Sequence, residues 1–149
     1  MRLLAILTAV VLVGCESARA PGSPGSDETS QAWYGKTVDQ VAGMNREADR
    51  LFQSGKADEA AALIEKGQPL VKRLLDVSHP TLGATEAASD LDDLYGRMLL
   101  SNRHYGWARL LFQKNLARWK YYQPATPETA RRLKQAVDAI EECDRHILQ

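Results

Sequence analysis

Cysteine is scarce in this chain: Cys15 and Cys143 are its only two among 149 residues, too few for the disulfide framework of a small secreted scaffold. An excess of either charge is missing as well, because 19 basic and 19 acidic side chains cancel. That balance argues against a dedicated nucleic-acid binder, which is normally strongly basic, and against an acidic disordered chain. No apolar run reaches the roughly 20 residues a membrane-spanning helix needs, so a polytopic membrane protein is excluded. Ten glycines and six prolines leave no room for a collagen-like fibre. What is present, 44% hydrophobic and 26% charged residues, suits one globular domain with appendages.

The longest apolar run, Leu3 to Val13, follows Met1-Arg2 and closes on Gly14-Cys15. A short basic start before about a dozen apolar residues is the pattern of an export signal. Its last four residues, Leu12-Val13-Gly14-Cys15, resemble the lipobox of bacterial lipoproteins at every position. The resemblance implies a signal peptide over residues 1–14, cleavage before Cys15, and acyl chains on the Cys15 thiol and its new amino group. Several chains anchor stably where one binds only marginally. Glu16, standing where aspartate would favour inner-membrane retention in enteric lipoproteins, leans toward the outer membrane. The following residues, 16–32, are dominated by Gly, Ser, Pro and Ala with no larger aliphatic, and cannot bury enough surface to order themselves. Residues 15–36 are therefore expected to be the lipidated cysteine and a flexible tether, and 37–149 the folded part.

From Thr37 the apolar spacing is helical throughout, which makes the chain all-α. Val38, Val41, Met44, Ala48, Leu51 and Phe52 form one stripe, with Thr37 and Gln40 in the form of a capping box and Gly55 as the stop. A second helix runs from about Asp58 to Asp76, with a kink or break expected at Pro69. Past Ser78-His79-Pro80, a third carries Ala84, Ala87, Ala88, Leu91, Tyr95, Met98 and Leu99, ending near Asn102. A fourth spans about Tyr105 to Tyr122. Thr126-Pro127-Glu128 then opens a fifth, with a capping hydroxyl, proline at the first position and an acid at the positive end. Its Arg131, Arg132, Lys134, Glu141, Glu142 and Asp144 are expected to be solvated.

The helices repeat. Gly55 to Ala60 aligns with Arg103 to Ala108 at a period of 48, and Ala48, Leu51 and Ile64 fall on Gly96, Leu99 and Phe112. This order of small, large and aromatic positions resembles a tetratricopeptide repeat, and the long unit is similar to the kinesin-light-chain-like variety. Residues 68–75 with Ser78-His79-Pro80-Thr81 resemble that group's second helix and His-Pro linker, and residues 122–130 a second linker lacking the histidine. Gly67 and Asn115 depart from the family's usual alanine. The resemblance implies about two helical hairpins and a C-terminal capping helix, a fragment of a right-handed α-solenoid.

Chemistry of the catalytic kind finds no foothold. His79, His104 and His146 share no metal-ligand spacing with each other or with a cysteine. No phosphate loop or nucleophile turn occurs, and Cys143, on the apolar face of the last helix, reads as a buried thiol. We read the chain as a non-enzyme without metal or cofactor.

The charges are sorted along the chain. Asp76, Glu86, Asp90, Asp92 and Asp93 lie between Arg73 and Arg97 with no base among them; Arg97, Arg103, Arg109, Lys114, Arg118 and Lys120 lie between Asp93 and Glu128 with no acid. Two candidate surfaces follow. Glu86, Asp90, Asp93 and Arg97 step along one face of the third helix, which the tetratricopeptide resemblance would put on a concave groove, ready for a basic or polar peptide. On the fourth helix, Tyr105, Ala108, Phe112, Leu116 and Trp119 make one face, and Trp107, Leu110, Leu111, Lys114, Arg118 and Tyr121 a second. The simpler expectation is that both are buried, one against the hairpin partner and one against the fifth helix. The alternative is an exposed aromatic and basic docking patch. Export and zero net charge speak against nucleic acid for that patch.

These features point to a lipid-anchored module that binds envelope proteins or a peptide segment, as a scaffold or as an assembly or pilot factor. The expected location is the outer membrane facing the periplasm. The rival is an inhibitor or immunity lipoprotein that blocks an enzyme.

Overall fold

A computed structural model describes residues 27–148. Cys15, the signal segment 1–14 and residues 16–26 lie outside the described residues. Those described are all-helical: a short 3-10 turn at Glu28–Ser30, then α1 (Ala32–Gln53), α2 (Ala57–Leu75), α3 (Leu82–Ser101), α4 (Tyr105–Lys120) and α5 (Pro127–Ile147), with no strand among them. Each helix packs on the next. α3 also packs against α1, which seats the second hairpin on the first.

The period of 48 is built into the backbone. The ends of α1 and α3, Gln53 and Ser101, are 48 residues apart, as are the starts of α2 and α4, Ala57 and Tyr105. Both turns pass through a left-handed residue, Gly55 at φ 81° and Arg103 at φ 61°. In both, the amide two positions past the helix-ending turn reaches back five residues: Lys56 N donates to Leu51 O at 2.9 Å and His104 N to Leu99 O at 2.8 Å. This bond caps carbonyls that would otherwise be orphaned at a helix end.

α3 is the hub. Ala84, Ala87, Ala88, Leu91, Leu94 and Met98 are buried, and small side chains on several faces let three helices approach it. One apolar cluster joins α1, α2 and α3 around Val41, Ile64, Leu74 and Leu94; a second joins α4 and α5 around Ala108, Phe112 and Cys143. Burying a side chain such as Phe112 or Leu94 contributes about 1.5–3 kcal/mol. Two close approaches depend on missing side chains. A Cβ on Gly96 would lie 2.6 Å from the Phe112 ring, and one on Gly67 would lie 3.0 Å from Leu91 Cδ2. A side chain at position 67 would press on Leu91 of α3.

Three expectations are corrected. The first helix starts at Ala32, so Thr37 caps nothing: it is buried, and its hydroxyl donates to the Trp33 carbonyl at 2.7 Å. The added turn is held by aromatics. Tyr34 is buried; its hydroxyl donates to Leu74 O at 3.2 Å and accepts from Thr81 N at 3.2 Å, while Arg73 covers the Trp33 ring at 4.0 Å. Residues 32–36 therefore belong to the folded part and not to a tether. Of the kink or break expected at Pro69, the break does not occur: α2 continues through it as one helix, with Gly67, Val71 and Leu74 buried against the core on both sides of the proline. Finally, two of the α5 charges expected in water are engaged. Arg132 reaches α3, and Asp144 accepts from Arg109 Nε of α4 at 2.6 Å. The fifth helix opens as its sequence indicates, on a reciprocal Thr126–Thr129 capping box with Pro127 at its start.

Candidate functional site

The α3–α4 hairpin holds every partner-binding candidate, and it is fastened by a buried polar layer. Asp92, 1% exposed, accepts from Lys114 Nζ at 2.9 Å and from Arg118 Nη2 at 3.0 Å. Arg118, whose side chain is 10% exposed, also donates to the Asn115 side-chain oxygen. Asn115 Nδ2 donates to the Ser89 carbonyl at 3.0 Å, and Trp119 Nε1 donates to Ser89 Oγ at 2.8 Å. Asn115 thereby ties α4 to the α3 backbone. A charge taken out of water is tolerable only when so paired. Arg118 is therefore spent on the interior, and Lys114 lies half in water with one end of its reach on Asp92.

The acidic stripe is occupied from within the chain. Arg132 of α5 donates to Asp90 Oδ1 at 2.6 Å and lies 3.8 Å from Glu86. Arg97 bridges Asp93 at 3.0 Å and Asp49 of α1 at 3.1 Å. Partial burial pushes the Asp93 carboxyl above its usual range despite Arg97 beside it. A small polar cleft of about 170 Å³ remains among Asp90, Asp93, Arg131 and Arg132. Arg97 and Arg132 thus take up part of the stripe's charge from within the chain, although Glu86, Asp90 and Asp93 with Asp49 and Glu128 still outnumber Arg97, Arg131 and Arg132.

The second face of α4 is different. Trp107, Leu110 and Tyr121 are 68%, 54% and 74% exposed. The expectation that α5 covers this face fails, because α5 packs on the other one. His146 stacks on Tyr105 at 4.5 Å, and Cys143 joins Ala108 and Phe112 in the core. Beside the exposed face lies an apolar hollow of about 540 Å³, walled by Tyr95 and Leu99 of α3, by His104, and by Trp107, Leu110, Leu111 and Lys114 of α4.

Compared with known proteins, the chain matches no family model, no curated protein and no solved structure.

Its own first repeat supplies the reference. At positions 48 residues earlier, Trp107, Leu110 and Tyr121 correspond to Glu59, Ala62 and Arg73, all exposed on α2. The scaffold does not require a large apolar residue at any of the three sites. The sequence reading found Trp107, Lys114 and Tyr121 but missed Tyr95, Leu99 and His104 as walls of the hollow. The first two sit in the α3 core stripe, and the fold leaves them half-buried beside the hollow. Among the described residues no group of His, Cys, Asp and Glu is placed to hold a metal, and no helix is long and apolar enough to cross a membrane. Burial pushes the Cys143 thiol up, away from the thiolate that reactivity needs.

Proposed function

We propose that the chain is a lipid-anchored interaction module of a bacterial envelope, acting by binding and not by catalysis, and that it scaffolds or pilots an envelope complex. The observation that carries the reading is the exposed Trp107–Leu110–Tyr121 face, an apolar surface that the fold leaves unused. Exposed aromatic side chains beside a hollow are the usual anchors of a protein interface. The Leu12-Val13-Gly14-Cys15 lipobox supports the anchor, and the paired helices repeating at 48 residues support a tetratricopeptide-like scaffold. Anchoring would raise the effective concentration of the module near membrane-bound partners, on the outer membrane facing the periplasm.

The test is made in cells. Cys15→Ser is expected to move the protein from the membrane fraction to the soluble one, and continued membrane attachment would overturn the anchor. A photo-crosslinker at position 107 is expected to capture an envelope protein that one at position 90 does not. A captured enzyme that the purified chain inhibits stoichiometrically would make this protein a blocker instead of a scaffold.

A further inference from the structure

Resting on that reading, we infer that the hollow beside α4 receives an amphipathic α-helix of a partner protein, its apolar stripe flanked by acidic residues. The spacing sets the shape of the occupant. Trp107, Leu110, Leu111 and Lys114 stand at i, i+3, i+4 and i+7 on α4, and Tyr95 and Leu99 stand four apart on α3. Two such rows with about 540 Å³ between them form the groove into which a third helix lays its own apolar stripe.

Charge sets its sign. α4 carries Arg109, Lys114, Arg118 and Lys120 and no acid, and its first turn has none to offset the positive end of the helix. His104 lines the hollow, and the exposed Arg103 precedes it in the turn with no ion pair among the described residues. Lys114 keeps its side chain 48% exposed above Asp92. An acidic flank would meet Lys114 and Arg103 on docking, since Arg109 and Arg118 are already paired with Asp144 and Asp92, and such a match favours the right partner and speeds encounter.

Two other occupants fit less well. A second copy docking face to face would set one basic α4 against another. A bilayer needs a protruding surface, and this one is concave. The described chain also begins beside Leu74 and Thr81, at the far end of α3 from Leu99, a distance of about 27 Å at 1.5 Å per residue. The hollow thus lies away from the end at which the described residues begin.

The probe is a fluorescein-labelled synthetic helix with leucine at the first and fourth positions of each heptad and glutamate beside them, titrated with the purified full chain. The expected result is binding about tenfold tighter than that of the same peptide with lysine for glutamate. Trp107→Glu, which installs the residue that the first repeat tolerates at Glu59, is expected to weaken it about tenfold at an unchanged Tm. Arg103→Gly, which suits the left-handed turn and removes a cation, is expected to weaken it about two- to threefold. Equal affinity for both peptides, no binding of either, or binding that survives Trp107→Glu would overturn the proposal. So would a dimer seen by sedimentation and lost in Trp107→Glu, which makes a second copy the occupant. Trp107-dependent pelleting with phosphatidylcholine–phosphatidylglycerol vesicles would make it the bilayer. Failure of any of these leaves the Cys15→Ser fractionation result intact, so the anchor and the groove stand or fall separately.

Discussion

The two hairpins share a backbone and differ in what they put inside it. In α1 and α2, positions 41, 44, 67, 70 and 71 are Val, Met, Gly, Leu and Val. The residues 48 positions later, in α3 and α4, are Ser89, Asp92, Asn115, Arg118 and Trp119, the buried polar layer. The first hairpin closes by apolar packing, which is tolerant of small changes. The second closes by charges and hydrogen bonds that must all be satisfied together. The outer surfaces diverge in the opposite sense: α2 shows water Glu59 and Arg73 where α4 shows Trp107 and Tyr121. A polar interior fixes the hairpin in one register while its outer face is released for apolar contact.

Breaking the polar layer is expected to give the largest effect. Asp92→Ala leaves Arg118 buried without its carboxylate and is expected to cost about 3–5 kcal/mol by chemical denaturation. Installing the first hairpin's residues at both positions, Asp92→Met with Arg118→Leu, is expected to recover most of that loss. A double variant no more stable than Asp92→Ala would show that the two interiors are not interchangeable. Next in size is Gly96→Ala, where the first hairpin already carries Ala48. The added Cβ meets the Phe112 ring, and the expected loss is about 1–3 kcal/mol. A fall in Tm of less than a degree or so would mean that the ring moves aside freely.

The smallest effect concerns α5. The Arg131 hydrogen bond, followed by that of Arg132, lowers the Glu128 carboxyl from its ordinary 4.5 to about 2. A carboxyl that titrates lower in the fold stabilises it above its unfolded value and loses that contribution as the pH falls through the folded one. Glu128→Gln is therefore expected to lower Tm slightly at pH 7, with the difference from the native chain shrinking below about pH 4.5 and vanishing toward about pH 2. A difference that stays constant across this range would assign the effect to helix capping alone.

Much of this was legible along the chain because helical periodicity and capping are local. The ends of α3 and α5, the stop at Gly55 and the repeat at 48 residues follow from residue types within a turn or two of one another. The misplaced start of α1 has a non-local cause, since Trp33 and Tyr34 gain their partners Arg73, Leu74 and Thr81 from 40 or more residues away. The candidate surfaces divide in the same way. Glu86, Asp90, Asp93 and Arg97 do share one helix face, but Arg132 of α5 pairs with Glu86 and Asp90, and Asp49 of α1 competes for Arg97. Lys114 and Arg118 share a face with Trp107, yet both turn toward a buried aspartate on the neighbouring helix.

The sequence by itself determined that this chain is helical, where most of its helices begin and end, and that acid and base belong to consecutive helices. Spacing of three and four residues decides those things within one element. Only the tertiary structure decided which charges are used up and which apolar face is left over. Pairing across 35 to 48 residues depends on how α1, α3, α4 and α5 are stacked, and α5 can cover only one side of α4.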